Sequence, residues 1–470
     1  MKSKLKQLGK DSIIYGVGGV AAKAITFFLL PIYTRLFTPT EYGIIEMLTV
    51  LSSFLGTLLT MGMDSAQSFY FFQQKDKGKQ AQAELITAIL QWRLIWGTVI
   101  VGAALLIAPF LNQFFFEGQL TWHYFALAFC GCLFGRLMSQ SVEVFRLLYR
   151  PWNYLGITLS VTVISDTLGI FLVLFLDWGI VAFLVASAIA SILGTILGWR
   201  GIRAYIDWSK WHRQWWPKLL RFGAPLVPAG LGMYVLNTSD RWFIIHYQGQ
   251  DALGLYAVGV KFAMIIALAV TTFRQAWWPI AMDALHTEEG PELFRTIARL
   301  YLGLGTAAIV VMTAISPFLV RWLTSPGYYS AYPIVGILAW SSLFYGFYLI
   351  GCAGIWKKEK TAWNPLLMGF AALLNIALDY IFVPRWGITG AAIATSTSFL
   401  VWNAIALVVS EKLWQIHYPI GALLLQIFTG IFTTTAILLL YNKNASLTPI
   451  ISVVIMGLII LISTSLNRNA

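Results

Sequence analysis

Long apolar blocks alternate with short polar segments along the whole chain. Most blocks are about 20 residues long, the length that an α-helix needs to cross the hydrocarbon core of a bilayer. The pattern predicts an all-α, polytopic membrane protein with about fourteen transmembrane helices. The predicted spans are residues 11–36, 41–64, 83–110, 120–141, 152–176, 179–199, 219–238, 252–272, 294–319, 332–355, 363–383, 388–410, 416–441 and 447–466.

The composition agrees with a membrane protein. Hydrophobic residues make up 58% of the chain and charged residues 11%, whereas soluble domains carry roughly 25% charged residues. This deficit excludes an ordinary water-soluble enzyme.

The basic residues concentrate on one side of the predicted spans. If the N-terminus is cytoplasmic, the cytoplasmic segments hold 23 of the 32 Lys and Arg residues, the opposite segments hold 5 and the spans hold 4. Cytoplasmic loops of membrane proteins are enriched in Lys and Arg in this way. We therefore expect both termini in the cytoplasm. Because the net charge of +12 follows from this orientation, no nucleic acid partner is expected.

The longest basic segment, residues 200–217, separates two similar halves. DWGIVAFLVASAIAS at 177–191 matches RWGITGAAIATSTSF at 385–399, and a Trp-Asn pair precedes each of these segments. The two Trp-Gly-Ile motifs are 208 residues apart, and the two Trp-Asn pairs are 211 residues apart. We predict an N-terminal six-helix lobe (1–199), a cytoplasmic basic connector (200–217), a C-terminal six-helix lobe (218–410) and two additional transmembrane helices (411–470). Parallel repeats of this type are typical of transporters with a substrate site between the halves, near mid-membrane.

Three segments resemble one transporter family. LNIALDYIFVPRWGITGAAIAT at 374–395 is similar to a hallmark of the polysaccharide transporter (oligosaccharide flippase) family of the multidrug/oligosaccharidyl-lipid/polysaccharide exporter superfamily. LLPIYTRLFTPTEYG at 29–43 and MGMDSAQSFY at 61–70 resemble the first two spans of that family, although Ser68 stands near a position where a basic residue is common. With twelve core spans and two extra spans, the resemblance covers essentially the whole chain.

The resemblance implies a flippase rather than an enzyme, working by alternating access in the bacterial cytoplasmic (inner) membrane. Its substrate class would be a polyprenyl-pyrophosphate-linked oligosaccharide for O-antigen, capsule or exopolysaccharide assembly. The implied partners are this lipid, membrane lipids, and a polysaccharide polymerase with its chain-length machinery. No cofactor or metal is expected, and the chain contains no GxxxxGK[ST] phosphate loop for direct ATP coupling.

Ionisable residues inside predicted spans are the candidates for substrate binding, because lipid disfavours them unless they face a cavity or a partner. The second span carries a polar stripe at helical spacing, from Glu46 to Asp64. This stripe favours a cavity-lining face, although its Ser and Thr residues are equally typical of contacts between helices. Asp166 in the fifth span follows Thr158 and Thr162 at steps of four residues.

The cations inside spans could each pair with a phosphate group; they are Lys23, Arg93, Arg136 and Lys261. Arg136 is the strongest candidate because Gln140 and Glu143 share its helix face. Its alternative is a structural Arg136–Glu143 pair. For Lys23 the alternative is contact with a neighbouring helix, and for Arg93 it is a side chain that extends to the membrane surface.

Asn375 and Asp379 repeat the four-residue polar spacing in the eleventh span. Because they belong to the motif that resembles the transporter family, we expect a structural role in the lobe at least as much as contact with sugar.

Two other functions stay open. A drug or metabolite exporter of the same superfamily would share the predicted architecture. A membrane-embedded glycosyltransferase is less favoured, since the predicted outer segments are short and carry only scattered carboxylates. Neighbouring glycosyltransferase genes would favour polysaccharide export over drug efflux.

Overall fold

The protein is described by a computed structural model, which covers residues 21, 24–443 and 447–466. Within these residues the regular secondary structure is entirely helical. The α-helices, α1 to α15 in chain order, are Leu30–Leu36, Pro39–Thr60, Met63–Gln73, Lys79–Phe116, Trp122–Leu147, Pro151–Leu176, Gly179–Ile202, Trp216–Gly223, Val227–Ala284, Gly290–Leu323, Tyr332–Gly351, Ala353–Lys357, Trp363–Leu413, Ile420–Asn442 and Leu447–Leu466.

The structure confirms the predicted fold class. Eleven helical segments are long and apolar enough to cross a membrane. Two of them, of 55 and 51 residues, are each interrupted by a glycine with positive φ, Gly249 in α9 and Gly387 in α13. Since about 20 residues cross the hydrocarbon core, each of these two is long enough to cross twice. The described residues thus account for thirteen predicted spans, while residues 11–20, 22 and 23 of the predicted first span, 11–36, lie outside them.

The predicted second span is divided into α2 and α3. The helical path breaks at Met61 and Gly62, which both have positive φ (46° and 69°). Gly62 also lies against the backbone of Gly223, so an added Cβ would lie only 2.6 Å from the Gly223 carbonyl carbon. Left-handed backbone and this close approach together require glycine at position 62.

The chain forms two compact units. Of the described residues, the first unit contains Ile44–Tyr234 and those up to Phe37, and the second contains Thr38–Gly43 and those from Val235 onwards. The division into two six-helix lobes, a connector and two additional helices stays a prediction.

The first unit packs α5 against α6 and α7. A cluster of buried apolar side chains, among them Ile86, Phe145 and Leu219, fills one end of this unit. Tyr205, Trp215 and Trp216 from the residues after α7 pack against the same cluster. The segment that follows α7 is therefore part of the packed unit.

In the second unit α10 packs against α11, α14 and α15, and α11 packs against α13. Val310, Ile437, Ile450 and Leu461 form a buried cluster where the last two helices meet α10. Lipid tails are as apolar as these side chains, so close packing rather than exclusion from water stabilises such contacts in a bilayer.

Each repeated Trp-Gly-Ile motif places a glycine with positive φ near the point where one membrane-crossing helix gives way to the next. Gly179 follows Trp178 and has a φ of 53°, and Gly387 follows Trp386 and has a φ of 55°. At the first motif α6 ends at Leu176 with left-handed Asp177 as its C-cap, and Gly179 begins α7. At the second motif Gly387 itself is the break within α13.

Candidate substrate-binding site

A polar pocket of about 430 Å³ lies within the first unit, lined by α2, α5 and α7. Steps of three and four residues bring Gly131, Gly135, Arg136 and Ser139 of α5 to this pocket, since such steps stay on one helix face. Gly131 and Gly135 lie against α7, where an added Cβ would be 3.4 Å from Ala188 Cα and 3.7 Å from Ser191 Oγ. Hydroxyl-bearing residues supply most of the polar wall; they are Thr49, Ser52, Ser53, Ser139, Ser187 and Ser191.

Arg136 is the one charged residue among those that line this pocket. It is half-buried, and no carboxylate within the described residues forms an ion pair with it. Its guanidinium lies against α2 at Gly56, where an added Cβ would be 2.6 Å from Nε. A glycine at position 56 therefore makes space for the charged group.

The expected alternative for Arg136, a pair with Glu143, is wrong. Glu143 Oε1 accepts hydrogen bonds from Arg146 at 2.7 Å and from Ser68 Oγ at 3.0 Å. Gln140, on the same helix face, donates to the carbonyl of Ile86 at 3.2 Å. Arg136 is seven residues from Glu143, or about 10.5 Å along the helix. Arg146 is only three residues away and is therefore within easier reach of Glu143.

Arg93 and Asp64 are brought together by the structure. The Arg93 side chain is 2% exposed and forms an ion pair with Asp64, which is 40% exposed. Arg93 also donates to the backbone carbonyl of Arg136 at 2.7 Å. The expectation that Arg93 extends to the membrane surface is therefore wrong, and its charge connects α3, α4 and α5 inside the unit.

Asp64 lines a second pocket of about 560 Å³ together with Glu143 and Arg146. Ser139 lines both this pocket and the Arg136 pocket. The two pockets therefore adjoin the same part of α5 at Ser139.

The polar stripe of the second span is not one continuous helix face, because α2 ends at Thr60 and Asp64 belongs to α3. The Thr49, Thr57 and Thr60 hydroxyls donate to carbonyls one turn back on α2. Glu46 is half-buried on α2. Thr49 and Ser53 reach the Arg136 pocket, whereas Glu46 and Asp64 are not among the residues that line it.

Asp166 is buried on α6 and accepts a hydrogen bond from Tyr33 Oη at 2.7 Å. The hydroxyls of Thr158 and Thr162 donate to carbonyls of their own helix, those of Tyr154 and Thr158. Asp166 thus links α6 to α1, and it is not among the residues that line the Arg136 pocket.

The remaining two predicted cations lie elsewhere. Lys23 is outside the described residues. Lys261 is half-buried on α9 in the second unit. Its neighbour Val260 lines a pocket of that unit, but Lys261 itself does not.

This pocket of the second unit, about 190 Å³ in volume, adjoins a buried cluster of charges that the sequence reading missed. Asp240 forms an ion pair with Arg241 at 2.7 Å and accepts a hydrogen bond from Tyr256. Both charged residues were assigned to an outer loop, but they lie inside α9 and are 2% and 8% exposed. Hydropathy scores each charge separately and cannot show that neighbours pair with each other.

Asn375 and Asp379 join this cluster from α13. Both are fully buried, and Ser239 Oγ donates to Asn375 Oδ1 at 2.8 Å and to Asp379 Oδ2 at 3.3 Å. Thr395 is 3.5 Å from the Asp240 carboxylate. The four-residue spacing of Asn375 and Asp379 was the sequence signal for this cluster.

With both carboxylates ionised, the cluster carries one negative charge more than Arg241 balances. A buried net charge is costly, so a proton or a small cation is needed to neutralise it. The amide, hydroxyl and carboxylate oxygens at this place suit hard cations. Within the described residues, no three or more His, Cys, Asp or Glu side chains lie close enough together to hold a metal ion.

Comparisons with known proteins agree with this architecture. Residues 8–284 match the family described as "Polysaccharide biosynthesis protein", and residues 225–381 match the MatE family. A protein of the Lsg locus of Haemophilus influenzae is 25% identical over 284 residues, which cover 59% of this chain and 66% of that protein. The aligned part therefore spans about two thirds of that relative.

Two solved structures share the fold. A structure of the lipid II flippase MurJ in an inward closed conformation has a TM-score of 0.74 at 16% identity, covering 96% of this chain and 98% of MurJ. An inward-facing MATE multidrug resistance transporter has a TM-score of 0.61 at 14% identity, covering 84% and 97%. The chain therefore belongs to the polysaccharide biosynthesis protein family, and it is a polytopic membrane protein whose fold is shared with MurJ and the MATE transporters.

Proposed function

We propose that the protein is a flippase that moves a polyprenyl-pyrophosphate-linked oligosaccharide across the bacterial cytoplasmic membrane by alternating access. The product would enter the assembly of a surface polysaccharide such as O-antigen, capsule or exopolysaccharide. Membership of the polysaccharide biosynthesis family supports this substrate class, as does the fold shared with a lipid II flippase. Both termini would face the cytoplasm, as the basic loops predict.

The observation that carries the proposal is the Arg136 pocket. Among the described residues no carboxylate pairs with the Arg136 guanidinium, and hydroxyl-bearing side chains line the same cavity of about 430 Å³. Arginine binds phosphate through two parallel hydrogen bonds, and hydroxyl groups can exchange hydrogen bonds with sugar or phosphate oxygens. Such a pocket would replace the water that a pyrophosphate loses when it enters the membrane.

The other candidate residues have different places in this proposal. Lys261 and Lys23 would supply further positive charge along the path of the substrate. Glu46, Asp64 and Asp166 would form part of the polar lining along the path of the substrate. Arg93 has the weakest claim to a substrate contact, because its charge already pairs with Asp64.

The test is deletion of the gene in its native host. We expect loss of a surface polysaccharide, with accumulation of its lipid-linked repeat unit on the inner leaflet of the membrane. Export should return when the wild-type chain is expressed from a plasmid. A polymerase and chain-length machinery are the expected partners, so their deletion should leave translocation of single repeat units intact.

A drug or metabolite exporter is the second candidate function. The MatE match over residues 225–381 and the fold shared with MATE transporters favour it. In that case deletion would leave the surface glycan unchanged and make the cells sensitive to cationic drugs, which would contradict the flippase proposal.

A further inference from the structure

Residues 75–79 and 203–221 make up a strongly basic part of the first unit, called here the basic surface. It contains eight Lys and Arg residues and only two acidic residues, Asp76 and Asp207. Lys79 Nζ lies 5.2 Å from the centre of the Tyr205 ring, which joins the two segments. All eight cations are exposed; they are Lys75, Lys77, Lys79, Arg203, Lys210, Arg213, Lys218 and Arg221.

The backbone of the basic surface is held by polar groups of α4. Gln91 donates to the carbonyl of Lys210 at 2.8 Å and accepts from the N–H of His212 at 3.0 Å. Thr87 Oγ1 accepts from the N–H of Asp207 at 2.8 Å. Because Thr87 and Gln91 are one helical turn apart and both buried, the segment is fixed along one face of α4.

Hydrogen bonds also order the turn that carries the exposed residues. The hydroxyl and the N–H of Ser209 donate to the Asp207 carboxylate, and these bonds lower the pKa of Asp207. Trp216 Nε1 donates to the carbonyl of Ala88 at 3.0 Å. The cations are therefore displayed on an ordered backbone rather than on a free loop.

Two tryptophans of the basic surface are largely exposed, although the Trp208 ring also lies 5.9 Å from that of Trp199. Trp208 is 51% exposed and Trp211 is 67% exposed, on either side of Lys210. Trp is favoured at the boundary of a membrane, where its ring lies among lipid headgroups. Exposed Trp between exposed cations suits a surface that is both apolar and negatively charged.

We propose that the basic surface binds the headgroups of anionic phospholipids. Lys and Arg contact the phosphates, and Trp208 and Trp211 enter the headgroup region beside them. Each Lys or Arg close to an anionic lipid surface strengthens association about fivefold. This proposal does not depend on the transported substrate, because the basic surface shares no residue with the Arg136 pocket.

The test uses the purified full-length protein in a neutral detergent, titrated with short-chain phosphatidylglycerol or, for comparison, phosphatidylcholine. The variant is Arg203→Gln, Lys210→Gln and Arg213→Gln together. We expect it to bind phosphatidylglycerol about a hundredfold more weakly than the wild type, from three factors of about five. The wild type should show at most weak binding of phosphatidylcholine.

A matched control removes the same charge elsewhere. Lys358→Gln, Lys360→Gln and Lys412→Gln change three exposed lysines of the second unit and should leave the affinity for phosphatidylglycerol unchanged. Equal weakening in the two triple variants would overturn the proposal, since only net charge would then matter. If the first variant does not accumulate, Arg203→Gln alone should weaken binding about fivefold.

Two further titrations separate a lipid surface from other anions. Trp208→Ala with Trp211→Ala keeps every charge and should still weaken binding of phosphatidylglycerol. Inorganic phosphate should not compete at equal concentration, and a single-stranded RNA 20-mer should not displace the lipid. Competition by phosphate, or tighter binding of RNA than of lipid, would overturn the proposal.

Discussion

Arg136→Gln is the substitution that tests most directly how the pocket of the first unit works. Gln keeps a polar group of similar length but removes the positive charge. In the structure Arg136 has no carboxylate partner among the described residues. The hydrogen bond from Arg93 goes to the backbone carbonyl of residue 136, which the substitution retains. The substitution removes the contact between the guanidinium and the Cys132 thiol, but Cys132 Sγ keeps its hydrogen bond to the Ser52 carbonyl.

The expected magnitude follows from these contacts. A hydrogen bond from a charged group contributes about 1.5 to 3 kcal/mol, and about 1.4 kcal/mol corresponds to a factor of ten. If Arg136 binds a phosphate of the substrate, transport should fall between about tenfold and a hundredfold. The amount of protein in the membrane should stay within about twofold of the wild type, because the substitution costs little folding free energy.

The assay measures both quantities in the same cells. Immunoblots of membranes report the abundance of the variant, and surface glycan in the deletion strain reports transport. Arg150→Gln is the control: it removes an exposed arginine that follows α5 and lines neither pocket of the first unit. Because an exposed charge contributes little to stability, this control should retain both abundance and export.

Two results would refute the reasoning. If Arg136→Gln exports glycan at the wild-type rate, the charge of Arg136 does not act on the substrate. If the variant is lost from the membrane, Arg136 stabilises the fold through contacts that the described residues do not show. Loss of export at normal abundance is the outcome that supports a substrate contact.

Three further predictions follow from the same structure. Arg93→Gln should lower the free energy of unfolding by about 2 kcal/mol, since it breaks a partly buried ion pair; thermal unfolding of purified protein measures this, and an unchanged transition would contradict it. Asp379→Asn removes the excess negative charge of a buried cluster and should keep or raise the unfolding temperature; a drop of several degrees would mean that the charge is structurally paired. Reporter fusions after Lys210 should read cytoplasmic and those after Gly249 external; an external reading at Lys210 would refute the predicted orientation.

The sequence by itself determined the architecture. Apolar blocks of membrane-spanning length fix the helices because a backbone in lipid must satisfy its hydrogen bonds within the segment. For the same reason the positions of single helices were predictable, as for α6, predicted at 152–176 and found at Pro151–Leu176. The family was predictable too, since the motif at 374–395 carries enough specific residues to be recognised.

Only the tertiary structure decided what each intramembrane charge contacts. Arg93 and Arg136 look alike in sequence, yet one pairs with Asp64 and the other faces a hydroxyl-lined pocket. Asp240 and Arg241 resembled loop residues, but they neutralise each other inside a helix. An ionic contact depends on atoms brought within about 4 Å by the packing of distant helices, and helical spacing specifies the face of one helix without specifying its neighbour.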